Sequence, residues 1–192
     1  MLTRREAAVS IFGAWRLALF DPGGMLFLDR TPEGALRSFY AAALVLPGYI
    51  FLLAAHQWDG FSQVPLLPLV LVQGIAYVVR WSAYALVMYH IAQYLGRGAQ
   101  YPGFLAAYNW SAVIQVIALV VVMVPVAGNL FPGDLGEAAL FVVSMMMLVY
   151  QWFITRTALE VGGFMAFSLV LLDLILTEMI SGIADSMLLG AG

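Results

Sequence analysis

Cysteine and lysine are absent from the 192 residues, and charge of either sign is scarce, with charged side chains making up 10% of the chain. The lack of cysteine rules out disulfides, a thiol nucleophile and thiolate metal sites. Eight arginines against 11 acids leave a net charge of -3, so no basic face is available to hold nucleic acid. A soluble domain carries about 25% charged residues, and the scarcity here excludes a water-soluble fold. Neither a G-x-S-x-G elbow nor a phosphate-binding G-x-x-x-x-G-K-[ST] or G-x-G-x-x-G loop occurs. The sequence therefore points away from an enzyme and implies no cofactor.

What the chain has in abundance is apolar side chains, 64% of the total, with a mean hydropathy of +0.95. Each membrane crossing needs about 20 mostly apolar residues, and five stretches qualify, at residues 32–55, 66–95, 103–127, 137–158 and 162–189. The expected fold is all-α: a polytopic membrane protein in which a bundle of five transmembrane helices (residues 32–192) follows an N-terminal cytoplasmic segment (residues 1–31). Residues 4–20 of that segment mix Val9, Phe12, Trp15 and Leu19 with Arg4, Arg5 and Arg16, which reads as an interfacial amphipathic helix with arginines reaching headgroups. A signal peptide is the rival reading, but Arg16 interrupts the apolar run and no small-x-small cleavage site follows.

Thr31-Pro32-Glu33 supplies an N-cap, a proline for the first helical position and an acid for the first turn, so the first span starts there. Pro47-Gly48 should kink it, because proline removes a backbone donor and crowds the preceding turn. Gly96-Arg97-Gly98 ends the second span, and Pro132-Gly133-Asp134 marks a turn before the fourth.

Arginine placement sets the orientation, because cytoplasmic loops retain positive charge. With five spans, Arg4, Arg5, Arg16, Arg30, Arg37, Arg97 and Arg156 all fall on one side, and Asp59, Asp134, Glu137 and Asp185 on the other. The N-terminus is then cytoplasmic and the C-terminus on the far side. Eight arginines with no lysine suggest a GC-rich bacterial gene, for which the membrane would be the inner one.

Arg80, the eighth arginine, falls near the middle of the second span, where a lone charge costs about 2.5–3.5 kcal/mol. It is expected to pair with Asp173, or with Glu178 if the helices are offset. Gln73, Tyr77, Arg80 and Tyr84 share one helical stripe at spacings of four, three and four. Asp173, Thr177, Glu178, Ser181 and Asp185 on the fifth span, Ser144, Gln151 and Thr155 on the fourth, and Tyr108, Ser111 and Gln115 on the third complete a polar seam. Two readings of the seam stand. It is glue between helices, or it is a path for a substrate, ion or proton. Tyr49 and Trp81 need only packing or interface-belt roles.

The remaining candidates are weaker. His56 and His90 fall at opposite membrane faces and cannot share a metal, and Asp134 with Glu137 reads as helix capping. No metal site is expected. Gly182, Ser186 and Gly190 form a small-x-x-x-small series that could admit another helix.

The layout resembles the Yip1 family of five-span membrane proteins. Local features resemble its bacterial branch: Arg37-Ser38-Phe39 entering the first span with Pro47 inside it, Tyr101-Pro102-Gly103-Phe104-Leu105 before the third, and Met123-Val124-Pro125 closing it. The resemblance covers residues 32–190. In place of the eukaryotic D-L-Y-G-P signature this chain has Phe20-Asp21-Pro22-Gly23, a departure that separates it from the Rab-GTPase and vesicle-trafficking roles of those relatives. The resemblance implies a non-enzymatic, membrane-organising protein that interacts with membrane lipids, with other membrane proteins or with itself. The alternative is a small transporter or channel built on Arg80, Asp173, Glu178, Gln73, Tyr77, Tyr84 and Gln151.

Overall fold

A computed structural model describes residues 2–61, 64–128, 130–131 and 133–189, with the side chains of 56–61 and 133 excepted. The helices are α1 (Arg4–Ala18), α2 (Pro32–Arg37), α3 (Tyr40–Phe61), α4 (Leu66–Tyr94), α5 (Tyr101–Ala127), α6 (Gly133–Leu159) and α7 (Gly163–Leu189), with a 3-10 segment at Pro22–Phe27. Five stretches are long and apolar enough to cross a bilayer: α2 with α3, then α4, α5, α6 and α7. The chain is an all-α polytopic membrane bundle. The side chains of His56, Trp58 and Asp59, and the whole of Pro132 and Gly190, lie outside what the structure describes.

Local chemistry sets the helix ends. The Thr3 hydroxyl accepts from the Glu6 amide at 3.1 Å, and the Thr31 hydroxyl from the Gly34 amide at 3.0 Å, so each helix start has a side-chain cap. α4 ends as its glycines suggest: Gly96 adopts a left-handed φ of 68°, and the Arg97 and Gly96 amides reach back to Ala92 and Gln93. α6 begins at Gly133, one turn before the start expected from the sequence, which turns Asp134 into a first-turn acid.

Helix α3 continues through Pro47, and the first span is interrupted at Ser38–Phe39. There the Ser38 hydroxyl donates to the Ala35 carbonyl at 2.6 Å and accepts from Asn109 Nδ2 at 2.8 Å, while the Ala41 and Ala42 amides bond three residues back. Gly48, beside the proline, lets α3 close on Val116 of α5, where a Cβ would collide with the valine side chain.

The helices pack in an arc, α3 on α5, α5 on α6, α6 on α7 and α7 on α4. Most of the buried apolar side chains lie toward the end carrying Arg30, Arg97 and Arg156, around Phe104, Ala107, Trp110, Met88, Ile154 and Leu159. The opposite half is looser. Large side chains such as Leu67, Ile75, Phe141, Phe167 and Ile183 face outward along the spans, as a lipid-facing surface requires.

α1 is held by protein on one face. Ser10, Gly13, Ala14 and Leu17 are buried against α5, α6 and the 3-10 segment, and the Tyr150 hydroxyl donates to the Ala14 carbonyl at 2.7 Å. Val9, Phe12, Trp15 and Leu19 form the other, exposed face. Arg16 does not reach outward as a purely interfacial helix would have it. Arg16 pairs with Asp21, and Arg37 bonds Glu6 at 2.7 Å and Asp29 at 2.5 Å, because acids lie within side-chain reach. The segment is thus a clasp across the arginine end of the bundle.

Gly13 and Gly24 let α1 and the 3-10 segment meet backbone to backbone; a Cβ on Gly13 would come within 2.8 Å of the Gly24 carbonyl. Gly13→Leu should cost about 1–3 kcal/mol through overpacking and expose the bond after Arg16 to trypsin, with the five spans still protected. Asp29 gives a second handle. Hydrogen bonds from the Thr31 hydroxyl and amide, with the Arg37 guanidinium beside them, hold its carboxyl below the ordinary carboxylate range. Since the folded value is the lower one, its contribution is present above the unfolded value of about 3.9 and is lost as pH falls through the folded value. Amide exchange in α1 should accelerate below about pH 4, and Asp29→Asn should show the same loosening at pH 7. Exchange that is equal in the two proteins at pH 7 would count against the anchor.

Candidate functional site

The polar stripe of α4 converges with residues of four other helices on one cavity of about 330 Å³. Tyr49 of α3, Tyr77, Arg80 and Trp81 of α4, Tyr108 and Gln115 of α5, Gln151 of α6, and Asp173 and Thr177 of α7 line it, with valine, leucine and methionine side chains between them. Helical rise explains the convergence. Arg80 lies about 21 Å along α4 from Leu66, and Asp173 about 15 Å along α7 from Gly163, both near mid-depth.

Arg80 and Asp173 share the cavity without touching. The Arg80 guanidinium donates to the Tyr49 hydroxyl at 2.9 Å and to Gln73 Oε1 and the Ala76 carbonyl at 3.4 Å, and it lies 5.3 Å from the Tyr49 ring centre. Asp173 accepts from the Tyr108 hydroxyl, 3.0 Å from each carboxylate oxygen. The ion pairs among the described residues join Arg16, Arg37 and Arg97 to acids at the arginine end. The direct pairing of Arg80 with Asp173 or Glu178 expected from depth is therefore corrected: Arg80 turns toward Tyr49 and Gln73, and Asp173 toward α5. Depth fixes the level of a side chain, but helix rotation fixes its direction.

The other expected members divide. Gln73 is 5% exposed and bridges Arg80 to Asp185, whose carboxylate accepts from its amide at 3.4 Å. Tyr77 lines the cavity and donates to the Ala42 carbonyl at 2.7 Å. Tyr84 does not line it; 2% exposed, it donates to the Leu169 carbonyl at 3.2 Å and ties α4 to α7. Glu178 is exposed and lies off the cavity. Gln151 is 6% exposed, accepts from Gln115 Nε2 at 2.9 Å, and leaves its own Nε2 without a hydrogen-bond partner at the cavity wall.

Tyr49 and Trp81 were read from the sequence as packing or belt aromatics, yet both line the cavity. Tyr49 stacks on Tyr77 at 4.8 Å and Tyr77 on Trp81 at 6.1 Å. Among the described residues the α3 and α4 backbones are not packed along each other, and these side chains close the space between them. The one available signal was the spacing from Tyr49 to Pro47-Gly48, which does not encode direction. On the arginine side of the cavity Tyr84, Phe104 and Tyr108 pack together with ring centres 4.9–6.3 Å apart, and of the three Tyr108 lines the cavity. Toward the opposite end a polar trail continues through Gln73 to Asp185.

His90 is exposed beside Tyr89, and Asp134 and Glu137 are exposed in the first turns of α6. No group of three histidine or acidic residues fit to hold a metal occurs among the described residues. Gly182 and Ser186 face outward with nothing near the Gly182 Cα face. A second recess of about 310 Å³ lies at the arginine end, between Met25 and Arg30 and the loops carrying Gln100 and Glu160. No family model, curated protein or solved structure matches this chain.

A double-mutant cycle on detergent stability separates the contacts. Tyr108→Phe with Asp173→Asn should show a coupling of about 0.5–3 kcal/mol, as touching residues do, and Arg80→Gln with Asp173→Asn a smaller one. The reverse order would mean that the two charges meet directly.

Proposed function

We propose that this protein binds a small ligand inside the bilayer and moves it across, as a non-enzymatic carrier. The observation that supports this best is the shared cavity in which Arg80 and Asp173 stand unpaired with each other. Charges kept only as glue between helices gain most by meeting, because an ion alone in hydrocarbon is costly. Here Arg80 is held by Tyr49, Gln73 and a backbone carbonyl, and Asp173 by Tyr108, which leaves each with unused hydrogen-bonding capacity. The arginine bias supports a cytoplasmic N-terminus and a C-terminus on the far side, in the inner membrane if the source is bacterial.

The membrane-organising role that the Yip1 resemblance implies is the second reading. It is favoured by the exposed ridge of Phe12, Trp15 and Leu19 on α1, beside the exposed Arg4 and Arg5. Such a ridge suits contact with anionic lipid or with another membrane protein. The two readings differ over the cavity. An organising platform has no use for water at mid-depth.

The absence of cysteine makes the test direct. Ala112→Cys and Thr177→Cys, which line the cavity, should react with a membrane-impermeant thiosulfonate in reconstituted protein. Ile175→Cys, on the outward face of α7, should stay unmodified. If all three behave alike, the cavity is closed to water and the carrier reading fails.

A further inference from the structure

We infer that the ligand of this cavity is a zwitterion, one molecule carrying an anionic group for Arg80 and an ammonium group for Asp173. The inference rests on the reading of the cavity as a ligand site and adds the chemistry of what fills it. Its basis is the pattern of unused hydrogen-bonding capacity. A guanidinium presents five N–H donors. Arg80 spends Nε on Ala76 and Nη2 on Tyr49 and Gln73, while Nη1 makes no hydrogen bond to the described residues. A carboxylate offers about four acceptor positions, and Asp173 receives a single hydroxyl, from Tyr108. Gln151, nine-tenths buried, adds an unpartnered Nε2 at the same wall.

Charge balance narrows the class. The cavity holds one cation and one anion, so its own charge sums to zero. A singly charged ligand would neutralise one group and leave the other unmet, and a doubly charged one would be repelled by one of the two. A zwitterion meets both. A volume of about 330 Å³ lies at the small end of the range of about 300–1,000 Å³ for small-molecule sites. That suits a free amino-acid-sized solute, or the headgroup of an ethanolamine phospholipid whose acyl chains stay outside. The shared chemistry is an ammonium a few bonds from a carboxylate or phosphate.

The test uses Ala112→Cys in the otherwise cysteine-free full chain, reconstituted in phosphatidylglycerol nanodiscs and modified by the impermeant thiosulfonate. Glycine, leucine or phosphoethanolamine is added in solution, with methylammonium and acetate as singly charged controls. A parallel set of nanodiscs contains phosphatidylethanolamine. By simple occupancy, a bound zwitterion at about ten times its Kd should slow modification about tenfold, and the singly charged ions should not. Protection by the soluble compounds identifies a free solute, and protection only in ethanolamine-lipid discs identifies a headgroup; either supports the inference. Arg80→Gln and Asp173→Asn should each abolish the protection, and if they do not fold, the comparison with the singly charged ions decides alone. Normal modification with no protection from any zwitterion, or equal protection by methylammonium or acetate, overturns the inference and leaves the cavity reading standing. Failure of the cysteine to react at all removes both.

Discussion

Hydrocarbon offers no hydrogen bonds, and the structure follows from how the chain meets that constraint. The backbone meets it by forming helices that satisfy their own amides, and the side chains that cannot do so must face inward. Arg80 and Asp173 are the most demanding of these, so helix rotations that turn both into the bundle are strongly preferred over those that leave them in lipid. Once α4 and α7 are rotated this way, their apolar residues Ile75 and Ile183 lie on the outer surface. The residual problem is geometric. The two charges line a shared space but are held by different neighbours, and Tyr49 of α3, Gln73 of α4 and Tyr108 of α5 meet their requirements only in part.

The bundle is not packed evenly. At the arginine end, small residues such as Ala107 and Ala158 let Phe104, Trp110, Ile154 and Leu159 interlock, and the N-terminal segment closes over them through Ala14, Leu17 and Met25. That end is a densely packed base, with Arg16, Arg37 and Arg97 tied to acids of the N-terminal segment and of a connecting loop. Toward the other end the core thins to isolated contacts at Gln73, Met123 and Leu188. A cavity at mid-depth sits where the tight packing gives way to the loose.

Several features were legible in the sequence because they depend on local chemistry. The Thr31 cap and the glycine stop after α4 act over one or two helical turns and the five apolar lengths lie within single segments, so their residues specify them directly. The polar stripe of α4 was legible for the same reason, since Gln73, Tyr77, Arg80 and Tyr84 lie on one face of any helix. Its partition was not: Tyr77 and Arg80 line the cavity while Tyr84, one turn on, braces α7. The sequence showed Tyr49 as one more aromatic in an apolar span, although it is the nearest partner of Arg80. Likewise the N-terminal helix was recognisable as amphipathic, but the docking of its small-residue face on α5 and α6 required those helices to be in place.

Hydropathy, capping and arginine bias act within segments or through the solvent, and so the sequence by itself determined the fold class, the number of spans and the expected sidedness. The direction of each buried charge was decided only in the tertiary structure. Depth along a helix follows from counting residues at a fixed rise, but azimuth depends on how five helices rotate against one another, which is a property of their mutual packing. That difference is why Asp173 could be placed at the level of Arg80 in advance, and why its bond to Tyr108 could not.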